Sequence, residues 1–431
     1  MLRKYPVWNA KSLNEASMPP LFSVIIPVFN KWDLTRACLA SLREHTAGLD
    51  YEVIVMDNGS TDATATELIP FGQSLFGDAF AALCFKENIH FGPACNAGAE
   101  AARSPLLFFL NNDTVLTPGW APPLIHGLES DAAIGALGPL LLYENGTIQH
   151  MGAAFAPGGP CHLYKGFPAD HPVVARPRKL QFITAAALML RRDLFFQCGR
   201  FFEGYRNGFE DVELCVRIRQ AGKKLACVPA SVIYHIESQS PGRNKDGTGH
   251  NDRLLYDRCG KDLYVDMHHH GMRDGFQVFV NDVLTLSLCL SDAEEEKLTA
   301  LAKNKNIREW LEIMRCHPFW RTGREALADA LEGEGQYTEA LQLRAQLADF
   351  LPLESRYRQL LHTAEKAGDT TIMGMAETRL RTIRRYREDR EHAAATVRQA
   401  TSRAMNANDP FLSNLYTQKF TALHPSPHGL E

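Results

Sequence analysis

The stretch Leu106-Leu107-Phe108-Phe109-Leu110-Asn111-Asn112-Asp113-Thr114 decides the fold. Its unbroken apolar run reads as a strand buried on both faces, the usual form of strands in a parallel sheet. The polar residues that follow place an acid at the strand's carboxyl end, where open α/β sheets bind ligands. Two earlier stretches have the same form. Val24-Ile25-Ile26-Pro27-Val28-Phe29-Asn30 ends in a polar turn, and Val53-Ile54-Val55-Met56 runs into Asp57-Asn58-Gly59-Ser60-Thr61-Asp62. Between them Leu34, Cys38 and Leu42 recur at helical spacing, which predicts a helix over 33–45; another helix begins near Ala63. This alternation, continuing to about residue 130, predicts βαβ units and a mostly parallel sheet. The turns at Pro27 to Asn30, Asp57 to Ser60 and Asn111 to Asp113 should then converge on one crevice.

The chemistry of that crevice can be read residue by residue. Asp57 can accept hydrogen bonds from a base or ribose edge, while Gly59 and Ser60 allow close backbone approach to a ligand. The same cluster reads equally well as a tight turn. Asn88, Gly92 and Asn96 surround the start of a small-residue helix whose amino end can face a diphosphate; the plain alternative is a glycine turn and a cap. Farther on, Gly208-Phe209-Glu210-Asp211-Val212 places two acids at the opening of a helical stretch, where the helix dipole favours ionised carboxylates. His235 ends the apolar run Val232-Ile233-Tyr234. By itself such a histidine reads more readily as a core residue than as a ligand.

In this order the segments resemble the inverting family 2 glycosyltransferases with the GT-A fold, over roughly residues 21 to 240. The resemblance implies a nucleoside-diphosphate sugar donor, UDP- or dTDP-sugar foremost, held by Pro27, Phe29, Asn30, Asp57, Gly59, Ser60, Asn88, Gly92, Asn96 and Asn112. Asn111-x-Asp113 stands where the family has its D-x-D motif, with Asn in place of the first acid. Asp113, with Asn111 and His235, would hold Mn²⁺ or Mg²⁺, hard cations that accept carboxylate, carbonyl and water oxygens. Asp211 carries the general base of the family's E-D pair, and Glu210 binds the acceptor or orients the base. The implied reaction is one in-line displacement with inversion. Ile183 to Arg192 resembles the strand beneath the sugar pocket, and its small residues Ala185 to Ala187 would leave room for a sugar ring.

Composition sets outer limits. A chain of 431 residues predicts two or three domains, and 45% hydrophobic with 22% charged residues is ordinary for a soluble globular protein. A net charge of −4 gives no case for nucleic acid as a partner. Ten scattered cysteines without C-x-x-C spacing read as reduced, mostly buried thiols. Residues 1–20 are polar and lack a signal-peptide core, and no stretch is long and apolar enough to span a bilayer. The expected location is cytoplasmic, including the inner face of the membrane.

The domain reading has an extension over 1–20, the GT-A domain over 21–270, a helical domain over 271–405 and a tail over 406–431. Within the GT-A domain, 236–252 is polar, carries Arg243 and Lys245, and reads as either a loop that closes over the donor or a plain connection. His268-His269-His270 reads as solvated surface rather than a metal site. In the helical domain Leu327, Ala328, Gly335, Tyr337, Ala340 and Pro352 partly match the tetratricopeptide pattern, so this region either recruits a protein partner or acceptor or stabilises the enzyme. Two other functions remain open at this level: a sugar nucleotidyltransferase, for which Lys31 is thin support, and a non-catalytic scaffold.

Overall fold

The computed structural model describes residues 7–8, 18–236, 248–406 and 409–425. It divides into two compact units, Met1–Ala154 with His162–Leu263, and Phe155–Cys161 with Tyr264–Glu431.

The first unit is built on the three apolar runs. Leu106–Leu110 and Tyr51–Asp57 are strands with every residue buried, and Phe22–Val28 lies between them, parallel to both. The ladder between Phe22–Val28 and Leu106–Leu110 stops at Ile25, ahead of Pro27, which has no N–H to contribute. Phe80–Cys84 extends the parallel set beyond Tyr51–Asp57, and Val7–Trp8 adds an antiparallel edge. On the other side the sheet is mixed. Ala187–Arg191 runs antiparallel between Leu106–Leu110 and Ile134–Leu142; Lys224–His235 is parallel to Ile134–Leu142, and Thr114–Leu116 closes the path antiparallel to it.

Helices form where the periodicity places them, at Trp32–His45, Thr64–Phe76 and Phe91–Ala101. The last lies so close on the sheet that a Cβ at Gly98 would sit 2.6 Å from Met56 Sδ and 2.7 Å from Ile25 Cγ2. Any larger residue there would push the helix off the strands. Under the helices, Trp120 is fully buried, stacks on Phe108 and gives its indole N–H to Thr46 Oγ1 at 3.1 Å. Its apolar body fills the core while its one polar atom is satisfied.

Two registers position the site. Val28 pairs with Asp57, which brings the first two turns side by side, and His235 pairs with Thr114, which brings it next to Asp113. The expected strand over Ile183 to Arg192 is shorter than its apolar run: only Ala187–Arg191 is strand. The preceding residues turn instead, because Ala186 C=O is accepting Asn111 N–H at 2.9 Å and Ala185 N–H is engaged by a side chain. Arg243 and Lys245 of the expected loop lie outside the described residues, and the end of the 236–252 segment belongs to the helix Thr248–Cys259.

The second unit is mostly helical among the described residues from 264 onward, which also form the hairpin Gln277–Val280 with Leu286–Cys289. Asn281 organises that hairpin, donating to Thr285 Oγ1 and Ser287 Oγ while its Oδ1 accepts Val283 and Thr285 N–H. The helices Arg321–Gly333, Tyr337–Phe350, Glu354–Ala367 and Thr370–Glu388 follow one another with short links. Ala328 and Ala340, two of the repeat-like positions, are completely buried. Gly368 takes the left-handed conformation (φ 73°) that ends a helix without steric penalty.

Two expectations change here. The triple histidine is not solvated surface: His268 is fully buried and His270 nearly so, while His269 is exposed. His268 Nε2 lies 2.6 Å from Asp409 Oδ2, and the other oxygen of Asp409 accepts Leu412 N–H. Burial holds the His268 pKa below its ordinary value, its neighbour His269 pushing the same way. The tail contains the helix Pro410–Leu423, which Asp409 caps; Leu412 and Tyr416 are fully buried, whereas Phe411 is exposed. Polar residues between the apolar ones hid this helix from a composition-based reading.

Candidate active site

The first two turns are stitched together by side chains. Asn30 N–H donates to Ser60 Oγ at 2.8 Å, and Asn30 Oδ1 accepts Thr61 N–H at 2.7 Å and Asp62 N–H at 3.3 Å. Asp57 Oδ1 accepts Ser60 N–H at 2.9 Å. Gly59 has φ 79°, and a Cβ on it would lie 2.9 Å from Glu87 Cα. Asn30 and Lys31 both take left-handed conformations to turn the chain from strand into helix. Phe29 nevertheless stays 47% exposed, an apolar ring left to solvent at the rim of the crevice. A cleft of about 720 Å³ opens beside these turns, lined by Asn30 to Leu34 with Asp62 and Ala63.

The Asn88 segment joins this assembly through Asn58, whose Nδ2 donates to His90 C=O at 3.3 Å. Asn88 Oδ1 accepts His90 N–H at 2.9 Å. Asn96 has a different occupation: its Nδ2 donates to Phe201 C=O and Glu203 Oε1, and its Oδ1 accepts Phe201 N–H. Gly92 packs where a Cβ would meet Phe202 O at 3.3 Å and Glu210 Cγ at 3.4 Å. Asn112 Nδ2 donates to Thr35 Oγ1 at 2.9 Å, tying the third turn to the helix Trp32–His45.

At the third turn, His235 Nε2 lies 3.0 Å from Asp113 Oδ1 and 3.4 Å from Asn111 Nδ2. The ring is oriented by Gln149. Gln149 Nε2 donates to His235 C=O at 3.0 Å, so its Oε1, 2.6 Å from His235 Nδ1, is the acceptor and Nδ1 carries hydrogen. In the neutral ring, Nε2 then presents a lone pair toward a carboxylate oxygen. Two acceptors facing each other suit a cation, and an imidazole with its second nitrogen hydrogen-bonded is the usual form of a metal-ligating histidine. Asp113 and His235 therefore fit a divalent ion, and Asn111, whose Nδ2 faces His235 here, would join them through Oδ1 with its amide turned over. Gln149 left no signal in the sequence: it sits on the short strand Ile148–His150, and its value depends wholly on the fold.

The acid pair opens the helix Glu210–Gln220. Asp211 Oδ2 accepts Ala185 N–H at 3.0 Å and its Oδ1 accepts Val212 N–H at 2.9 Å, which fixes the carboxylate plane. Glu210 is buried and its Oε2 accepts Gly208 N–H at 2.7 Å.

Behind the Asp113 site lies a buried imidazole pair, with His150 Nδ1 and His162 Nδ1 3.1 Å apart. Burial, followed by the two neighbouring histidines, holds His150 well below the ordinary histidine pKa of 6.5. In the unfolded chain that ring takes up a proton as pH falls through about 6.5; in the folded chain it does not. Its contribution to stability is therefore intact above that pH and lost below it, at no more than about 1.4 kcal/mol per pH unit. Thermal melts of wild type and His150→Gln between pH 7.5 and 5 check this: the acid-side decline should be shallower in the variant.

Residues 23–197 match the sequence profile of Glycosyl transferase family 2. This segment is similar to the family 2 glycosyltransferases. Individual relatives align over longer stretches. The uncharacterized protein y4gI of Sinorhizobium fredii is 31% identical over 231 residues, 52% of this chain and 25% of that protein. The O-antigen biosynthesis protein RfbC of Myxococcus xanthus is 29% identical over 236 residues, 51% of this chain and 18% of that protein. The N-acetylglucosaminyl-diphospho-decaprenol L-rhamnosyltransferase of Mycobacterium tuberculosis is 25% identical over 213 residues, 44% of this chain and 68% of that enzyme. The chain thus spans a quarter or less of the first two relatives. The first unit carries a mixed sheet with the crevice at its strand ends. Among the described residues no helix is long and apolar enough to cross a membrane.

Proposed function

We propose that the transferase domain moves a sugar from a nucleoside-diphosphate sugar, UDP- or dTDP-linked, to a hydroxyl of a growing glycan or lipid-linked saccharide, with inversion at the sugar carbon. The observation that carries this reading is the pairing of Asp113 Oδ1 with a Gln149-oriented His235 Nε2 in a chain similar to the family 2 glycosyltransferases. The stitched Asn30, Asp57 and Ser60 turns and the exposed Phe29 offer polar edges and a ring face to a nucleoside. Asp113 and His235, with Asn111, would hold Mn²⁺ or Mg²⁺. When bound, such an ion offsets the charge that develops on the departing diphosphate.

Asp211 serves as the base. Its carboxylate is held at both oxygens by backbone N–H groups at a helix amino terminus, which fixes its orientation toward the acceptor. It takes the proton of the acceptor hydroxyl as that oxygen attacks the anomeric carbon from the side opposite the diphosphate. Relatives named for O-antigen synthesis and for a lipid-linked rhamnosyl transfer favour a saccharide acceptor. The helical unit would recruit the acceptor or a protein partner.

The test is incubation of the full chain with UDP- and dTDP-sugars, Mn²⁺ and short saccharide acceptors, with product configuration determined by NMR. Inverted product supports the reading; retained configuration opposes it. Gln149 supplies a sharper check. Gln149→Leu removes the bond that orients His235, and loss of such a bond typically weakens metal affinity by about 10–100-fold. Mn²⁺ titration in the presence of UDP should show that loss while the fold is kept.

A further inference from the structure

The acid pair is preceded by a turn that ordinary side chains avoid. Asn207 (φ 53°), Gly208 (φ 138°) and Phe209 (φ 76°) all have positive φ, and Phe209 is the residue from which the helix Glu210–Gln220 starts. For a large aromatic residue this conformation is costly and persists only where its surroundings hold it. The surroundings do so from two sides. Asn251, on the helix Thr248–Cys259, is 4% exposed; its Oδ1 accepts Arg206 N–H at 3.2 Å, and its Nδ2 donates to Arg206 C=O and Gly208 C=O, each at 3.3 Å. From the opposite side Asn207 Oδ1 accepts the N–H of Phe91, the first residue of the helix Phe91–Ala101, at 3.0 Å.

We propose that Asn251 and Asn207 are positioning residues, clamping the 207–209 turn in its left-handed form and so fixing where Asp211 stands relative to the acceptor. Neither residue touches Asp211. The clamp acts through the turn, and on the Asn207 side it fastens the turn to the helix placed to receive the donor diphosphate. This rests on the reading of Asp211 as the base. Without Asn251 the three bonds to the turn are gone, the turn relaxes toward ordinary φ values, and the first helical residues move with it. A displacement of about 1 Å at a catalytic group costs on the order of a hundredfold in rate.

The experiment uses the full chain as Asn251→Ala, Asn251→Asp, Asn207→Ala and Asp211→Asn. Hydrogen exchange of the amides at 206–212, Mn²⁺-dependent UDP binding and turnover of the best donor from a UDP- and dTDP-sugar panel are measured on each. Asn251→Ala should raise exchange at 206–212 and lower kcat by roughly ten- to a hundredfold, leaving UDP affinity within about threefold. Asn251→Asp keeps the bond from Arg206 N–H and should fall between Ala and wild type. Because Asn207 is exposed, Asn207→Ala tests the same claim if the buried variant does not fold. Unchanged exchange at 206–212 in the folded variants overturns the clamp, as does unchanged kcat alongside an inactive Asp211→Asn. An active Asp211→Asn would instead remove the base reading, and with it the role assigned to the clamp.

Discussion

Asp211→Asn should abolish most transfer while donor binding survives. The substitution keeps size and shape, and an amide oxygen can still accept Ala185 N–H, while the bond from Val212 N–H is lost. What it removes, on the proposed mechanism, is the group that takes the proton from the acceptor hydroxyl. General base catalysis contributes about 10²–10⁴-fold, so kcat should fall by that much. UDP affinity in Mn²⁺ should stay within a factor of about three, since the lost term is realised only in the transition state. The check is steady-state kinetics beside calorimetry on the same preparation. Transfer at the wild-type rate would move the base elsewhere in the crevice.

The second large effect belongs to Asp113→Ala. This variant removes the one carboxylate of the Asn111-x-Asp113 segment and leaves His235 Nε2 without the oxygen 3.0 Å away. Because Asn111 already stands where a second acid would be, no other carboxylate of that segment can compensate. Loss of electrostatic stabilisation of a leaving group typically costs about 10²–10³-fold or more in rate. Here the expected loss is at least that, with Mn²⁺ no longer improving UDP affinity. Transfer assays and UDP titrations with and without Mn²⁺ read both effects. A retained Mn²⁺ response would take the ion away from Asp113.

The parts of the fold that were legible in the sequence are those governed by local pattern. Runs such as Leu106 to Leu110 and Val53 to Met56 can only be buried strands at that length and flanking, and Leu34, Cys38 and Leu42 can only bury one face of a helix. The pairing of Asp113 with His235 was legible only through resemblance, since a register between strands more than a hundred residues apart has no local signal. Gln149, Asn207 and Asn251 were not legible at all. Each makes hydrogen bonds to groups that only the fold brings close, and an asparagine or glutamine in such a place looks like any surface amide. The buried His268 was misread for a related reason: its partner Asp409 lies 141 residues away and caps a helix that the composition of 406–431 did not suggest.

Asn96 and Glu210 show the reverse case. Their residue types fit a donor or acceptor site, yet both side chains bond to the 201–210 segment: Asn96 to Phe201 and Glu203, Glu210 to Gly208. A role in organising the wall of the crevice accounts for the same residue types.

The most direct test of the central claim is calorimetric titration of the wild-type chain with UDP, dTDP and GDP, each with and without Mn²⁺. The proposed site predicts that UDP or dTDP binds with an affinity that rises when Mn²⁺ is present. Absence of binding by all three nucleotides in both conditions would contradict it.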